Sequence, residues 1–431
     1  MIWVVRTIGV LVATAFVAAS ISVQFSPLTT SAEPSGERNI SVDPRPLEVV
    51  CPGSVYQLGG EDGTEVDSIE ALGDADFYLI EDGSATPFRA SRPAIFSSSG
   101  EGQSARDLSG YQWQEIDQSR ISGSVSLTCK KPVTDAVLLG GKTSLGFESL
   151  LIVHNPDVLS TILDLRFFDS QDQVDESISL APDETKVINL ARYVNTDQAV
   201  GVRIDSQGGR FAAWIQSKSN SGITPTGAEI SAHNQLQENP ALIINAQSEE
   251  LPIEFRVPEV YALVTESLST TVSISSLDGG FGDAFRVELQ PGVNSIPMPD
   301  LQPGSYQVSL EAENALLSSH STNPLVPDFS ISQSEAGVSG DIQMVAVIDG
   351  IVEVSSFEET VVSMTIIRNG IAEVAKIDLL TGRNVLSAEV EFGDQIEISG
   401  ENLLIRISNG ETEYQATDNS NLGSDLSITV R

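Results

Sequence analysis

Gly146 to Lys218 reads GFESLLIVHNPDVLSTILDLRFFDSQDQVDESISLAPDETKVINLARYVNTDQAVGVRIDSQGGRFAAWIQSK, and its period is two. Leu163, Leu165 and Phe167 alternate with Asp164, Arg166 and Phe168; Val200, Val202 and Ile204 alternate with Gly201, Arg203 and Asp205. Successive side chains of a strand point to opposite faces, so each run offers one apolar face and one mostly polar one. Between the runs stand Asn155-Pro156-Asp157, Ala181-Pro182-Asp183 and Gly208-Gly209, which carry turn chemistry. Short strands with turns between them predict an antiparallel sandwich. No comparable window shows a sustained apolar stripe of helical period.

The pattern returns. Val264 to Ile274 follows Val153 to Leu163, and Leu289-Gln290-Pro291 stands where Leu180-Ala181-Pro182 stands. A β-branched residue, Val187 or Ile296, comes five positions after each proline, and Tyr306, Val308 and Leu310 repeat the later alternation. A fainter third copy has Val362, Met364 and Ile366, then Leu380 to Val385, then Leu403, Ile405 and Ile407. The spacing of roughly 90 to 110 residues is that of an immunoglobulin-like domain. The expected fold is all-β, with tandem immunoglobulin-like sandwiches behind an N-terminal membrane segment and stalk.

The chain of 431 residues has room for about three domains. Its 60 acidic and 23 basic residues give a formal charge of −37. Phosphate backbones and anionic lipid surfaces both need clustered Lys and Arg, so neither partner is expected. No calcium loop of the D-x-[DN]-x-[DN]-G kind occurs; Glu61-Asp62-Gly63 and Asp278-Gly279-Gly280 read as turns. An acidic, solvated surface suits an exported protein.

Arg6 is followed by an uncharged run from Thr7 to Val23. That run fits either a membrane anchor with its N terminus inside or a signal peptide cut near Ala18, Ala19 or Ala32; the anchor is preferred. Residues 1–25 are thus the anchor or signal, and 26–46 a flexible stalk rich in Ser, Thr and Pro. Residues 47–135 form an N-terminal β region, 136–220 and 221–332 the two clear repeats, and 333–431 a third domain. The only cysteines, Cys51 and Cys129, each end a strand-like run, which in an exported chain predicts a disulfide. Closing a loop of about 80 residues contributes on the order of 4 kcal/mol. Gly83 to Gly110, rich in Ser and Gly, reads as a long loop, and Gly222 to Gly227 as a turn between repeats.

Chemistry-bearing patterns are sparse. His154, His233 and His320 are far apart in sequence, and His154 reads as a surface residue. Gly141-Lys142-Thr143 lacks the earlier glycine of a phosphate loop, because that position is Ala136. No G-x-S-x-G elbow is present. Tyr111 and Trp113 are candidate glycan contacts, whereas Trp214 within Phe211 to Ile215 reads as core. No catalytic residue, metal ligand or cofactor is expected.

Several turn motifs also follow one another in a recognisable order. They are Cys51-Pro52-Gly53, Cys129 to Pro132, Gly140-Gly141, Gly146, Leu150 to Val153 with Asn155-Pro156, Gly208-Gly209 before Ala212-Ala213, and Gly222 to Gly227. In these the chain resembles an uncharacterised family of membrane-anchored, exported actinobacterial proteins; Val137 departs from the tryptophan expected before the Gly-Gly. The genes of that family commonly lie beside a large envelope glycosyltransferase. The resemblance implies an envelope role and carries over no functional residue. The function expected is that of a non-enzymatic extracytoplasmic protein that binds or scaffolds an envelope protein or polysaccharide. The alternatives are a carbohydrate-binding accessory to an envelope glycosyltransferase and a glycan hydrolase, which needs two carboxylates in one cleft.

Overall fold

The computed structural model describes residues 38–42, 47–59, 68–81, 84–98, 108–169, 173–323, 328–379, 386–410, 412–417 and 426–430. The expected anchor lies outside them; among the described residues no helix is long and apolar enough to cross a membrane. Two compact units are present. In the smaller, β1 (Arg38–Val42) pairs antiparallel with the last strand, Leu426–Val430. Part of the expected stalk is therefore a strand, and the last strand joins it instead of the third domain. Both partners alternate apolar and polar residues, Ile40 and Val42 against Leu426, Ile428 and Val430, but β1 stands in a stretch whose Ser, Thr and Pro content suggested a stalk.

The larger unit is all β and holds one strand plan several times over. The plan is clearest in β10 (Asp135–Gly140), β11 (Phe147–His154), β12 (Thr161–Phe168), β13 (Gln173–Leu180), β14 (Thr185–Asn189), β15 (Val200–Gln207), β16 (Ala212–Ser221) and β17 (Thr224–Ala232), preceded in the chain by β2 to β9. One sheet has the order β10-β15-β12-β13 and the other β14-β11-β16-β17. Leu163, Leu165, Phe167, Val200, Val202 and Ile204 of the first sheet meet Leu151, Val153, Ala213 and Ile215 of the second in one core. Asn155 donates to Leu159 O and Ala181 O, and its Oδ1 accepts from Asp157 N, so one side chain ties two turns together. The β16–β17 hairpin, with Ser221 opposite Thr224, crosses the expected boundary at residue 220. The Gly222 turn is its tip and not a link between repeats.

The second set is β18 (Ala241–Ala246), β19 (Glu259–Val264), β20 (Leu268–Ser276), β21 (Gly282–Leu289), β22 (Gly292–Ile296), β23 (Gly304–Leu310), β24 (Ala315–Asn323) and β25 (Asp328–Gln333). Its sheets, β18-β23-β20-β21 and β22-β19-β24-β25, repeat the first plan strand for strand. The third comprises β26 (Val338–Val345), β27 (Gly350–Ser356), β28 (Thr360–Arg368), β29 (Ile371–Leu379), β30 (Leu386–Val390), β31 (Gln395–Ser408) and β32 (Glu413–Gln415). Here the sixth and seventh strands are continuous. The first half of β31 pairs with β26 and β28, and its second half with β27 and β32. The chain bends between the halves at Asn402, whose φ is 52°. Leu380 to Val385 lies outside the described residues.

The N-terminal module holds β2 (Glu48–Cys51), β3 (Tyr56–Leu58), β4 (Ile69–Ala71), β5 (Ala75–Glu81), β6 (Ser84–Ala90), β7 (Ala94–Ser97), β8 (Leu108–Gln118) and β9 (Ile121–Thr128). Its sheet β6-β5-β8-β9 matches the second sheet of the plan, and β2-β7 matches the outer pair of the first. The third and fourth strands are absent, because β5 turns directly into β6. The stretch expected as a loop between Gly83 and Gly110 thus holds two strands and the start of a third. Edge strands tolerate the small polar residues that suggested a loop.

The four modules close on one another. Val50 of β2 packs with Ile152 and Trp214 on the outer face of the next module's second sheet. Val137 and Leu139 of β10 pack with Tyr261, Leu263 and Leu316 of the following one. Ala241 and Ile243 of β18 pack with Leu404. Ile80 and Tyr111 of the N-terminal module join the core of the third sandwich. The last strands, β9, β17, β25 and β32, meet at the centre. This centre is polar: Ser126 and Thr412 share hydroxyl contacts, Lys130 binds both oxygens of Glu335 at 2.7 and 2.6 Å, and Glu229 is 1% exposed.

Two predictions follow from the closure. Cys51 and Cys129 form the expected disulfide, across a separation of 78 residues. The Cys51→Ala/Cys129→Ala double variant should lose on the order of 4 kcal/mol in denaturant unfolding; an unchanged midpoint would contradict a stabilising role. Burial pushes the Glu229 carboxyl well above its ordinary value, and Asp328 and Glu413 push it further. A raised carboxyl favours folding below the ordinary Glu value and loses that contribution as pH climbs towards the folded value. Glu229→Gln should therefore be more stable than wild type at pH 8, by a margin that shrinks towards pH 4. Buried His233, held down to about 4, acts in the opposite sense in both proteins and cancels in the difference.

Candidate functional site

β8 runs from the interior out to a cleft. On one of its faces stand Tyr111, Trp113, Glu115 and Asp117, and along that face burial declines from a buried tyrosine to exposed acids. The opposite face holds Gln112, Gln114 and Ile116, all buried. Gln112 exchanges hydrogen bonds with Gly53, and Gln114 holds Val55 N and Leu72 O, so β8 is pinned by its hidden face.

Tyr111 is 1% exposed, its hydroxyl donates to Gln343 O at 3.3 Å, and its ring meets Tyr414 edge-on. Burial pushes that hydroxyl's pKa up. Tyr111 is thus a contact between modules and not a ligand contact, a correction that follows from the third sandwich packing over its end of β8. Trp113 is half-buried at the rim. Its Nε1 donates to Ser124 Oγ at 3.3 Å, and its ring lies 6.0 Å from Phe392 at 69°. Phe392 is 48% exposed, with Tyr78 edge-on beneath it. Asp349 Oδ1 accepts from Phe392 N at 2.6 Å and fixes that loop. Trp214 is fully buried, as the core reading expected.

The cleft measures about 620 Å³ and is bordered by Trp113, Glu115, Asp117, Asp349, Phe392 and Asn409 among others. Asp328 forms its floor. One of its oxygens accepts from Ser124 N at 2.9 Å, and the other crowds Gly123 and Gly227. A Cβ on Gly227 would lie 2.6 Å from Asp328 Oδ1 and from the Phe329 ring, and its φ of +136° already excludes most residues. The two glycines let the hairpins of neighbouring modules approach this carboxylate.

The cleft offers aromatic faces, carboxylates, hydroxyls and an amide. Aromatic faces take the C–H surface of a sugar ring, and carboxylates, hydroxyls and amides take its hydroxyls. Among its described lining residues there is no His, Cys or Lys. No group of three His, Cys, Asp or Glu among the described residues is arranged to hold a metal ion. All three histidines are buried. His154, expected at the surface, is buried with Nδ1 against Thr185 Oγ1 at 3.0 Å. Lys142 forms an ion pair with Glu259 across two modules. Phe392 escaped sequence reading because nothing local distinguishes it; only the closure of the modules brings it to Trp113.

No curated protein matches the chain. Among solved structures, a crystal structure of Thermotoga maritima 1070 aligns with 10% identity and a TM-score of 0.22, covering 24% of this chain and 93% of that one. A tetra-tandem repeat from the extending region of a large adhesion protein aligns with 12% identity and a TM-score of 0.10, covering 81% and 92%. Similarity at those scores supports no argument about this fold. Residues 85–357, more than half of the chain, match the model of a family of unknown function, and the chain belongs to that family, DUF5719.

Proposed function

We propose that this protein is a non-enzymatic, extracytoplasmic component of an actinobacterial cell envelope. Its immunoglobulin-like modules form a rigid body that holds a polysaccharide in the Trp113–Phe392 cleft. The uncharged run from Thr7 to Val23 anchors it to the membrane, and the acidic surface keeps the body in the aqueous phase. The observation that carries the reading is the cleft: two aromatic rings, one half-exposed, beside exposed Glu115, Asp117 and Asp349. Carboxylates accept from sugar hydroxyls, whereas they repel nucleic acid and anionic lipid.

Rigid aromatic walls lose little entropy on binding, which favours recognition of a chain that is itself stiff. An aromatic contact is worth about 0.5–1.5 kcal/mol beyond its buried area. Loss of one should weaken binding roughly tenfold. The test is retention of the soluble body on insoluble cell-wall polysaccharide. Trp113→Ala and Phe392→Ala should each lower retention about tenfold, and Ile223→Ala, at a site 97% exposed elsewhere, should leave it unchanged. Equal retention of all three variants would sink the proposal. Release of new reducing ends during the incubation would move the cleft's carboxylates from recognition to hydrolysis.

A further inference from the structure

A second cavity, of about 260 Å³, lies between the second and third sandwiches and does not involve the Trp113–Phe392 cleft. Strand register builds one wall. In the β24–β25 pair Ser319 stands opposite Ser332, and Ser321 opposite Ser330. Directly opposed residues in an antiparallel pair share a face, so four serines lie together. Ser408 and Thr412 of the third sandwich add two more hydroxyls.

Arg406 also lines the cavity and is 1% exposed. Its Nη1 donates to Ile243 O at 3.0 Å and to Glu413 Oε2 at 3.3 Å. Its Nη2 donates to Asn245 Oδ1 at 2.8 Å and to Glu353. Its Nε–H is buried and has no acceptor. A buried guanidinium donor left unmatched is costly.

Charge decides the class of ligand. Two carboxylates, Glu353 and Glu413, already share this one guanidinium. Burial acts to raise Glu353, but the charge and hydrogen bond of Arg406 outweigh it and hold it below the ordinary value. Burial raises Glu413, and Arg406 offsets this only in part. An incoming anion would find no uncompensated positive charge here. A neutral molecule with several hydroxyls would match the serines, each of which both donates and accepts.

We propose that this cavity binds one neutral sugar or cyclic polyol ring, its hydroxyls interleaved with those of Ser319, Ser321, Ser330 and Ser408. Its volume is below the roughly 300–1,000 Å³ of typical ligand sites, which limits it to a single ring.

The test is saturation-transfer NMR on the soluble body with D-glucose, N-acetyl-D-glucosamine and myo-inositol as probes, beside inorganic phosphate. Transfer to at least one neutral probe is expected. It should fall at least tenfold in Ser330→Leu, whose added bulk fills the wall, and persist in Trp113→Ala. Ser321→Val serves if the leucine variant does not fold, as judged by its melting curve. Transfer to none of the neutral probes overturns the proposal, as does competition by phosphate. Transfer that survives the serine variants but vanishes in Trp113→Ala also overturns it, while leaving the cleft reading intact.

Discussion

The second sheet of the first sandwich is apolar on both faces along β11 and β16, and one of those faces is not covered from within the sandwich. Leu150, Leu151, Ile152 and Val153 are all fully buried, as are Ala212, Ala213, Trp214 and Ile215. In an antiparallel sandwich one face of a sheet usually meets water and the strand alternates; an unbroken apolar run means that something lies on the other face too. Here it is the preceding module. The contact joins the first strand of one module to the second sheet of the next, a head-to-tail geometry that ends only when the ring closes or the chain stops. It closes when β26 of the third sandwich reaches β5 and β8 of the N-terminal module.

Closure has a polar consequence. Four last strands converge, and their inward residues are hydroxyls, amides and acids, among them Ser126, Glu229, Ser332 and Glu413. Buried polar groups stabilise only when matched. Many are matched between modules: Ser124 N with Asp328, Thr128 with Gln415 O, Ser332 with Glu413. Others are not, including Ser231 Oγ and both polar atoms of the Gln333 amide. A centre with unmatched buried groups contributes less to stability than a well-packed apolar centre would. Apolar contacts join the modules near their first strands, and polar contacts join them at the centre.

This division explains what a reading of residues can and cannot reach. Alternation at Leu163, Leu165 and Phe167, and again at Val362, Met364 and Ile366, reports burial against a partner sheet in the same module, a local property. The repeat was legible for the same reason, since turn prolines and strand spacing are local. The burial of Tyr111 and His154 was not legible. Tyr111 is covered by residues more than two hundred positions away, and His154 is flanked by Thr185 of β14 and Ala212 of β16, neither of them near it in sequence. Trp113 could be nominated but not paired with Phe392. Arg406 and its carboxylates looked like an ordinary alternating strand until the second and third sandwiches came together. Local period finds faces; it does not say what covers them.

The disulfide shows how the weakest module is kept in the ring. In the first sandwich Val137 of the opening strand bridges Asn234, just past the closing strand. The N-terminal module has the equivalent bridge, Val50 to Lys130, and adds the Cys51–Cys129 bond beside it. This module lacks the third and fourth strands, so its own core is reduced to a small set around Val49, Phe77 and Leu108. Less apolar area buried means less stabilisation to offset the entropy of ordering the chain. Yet this module contributes β5, β8 and β9, which contact both the first and the third sandwiches. A covalent link that restricts its unfolded states acts where the apolar core is smallest and the ring has most to lose.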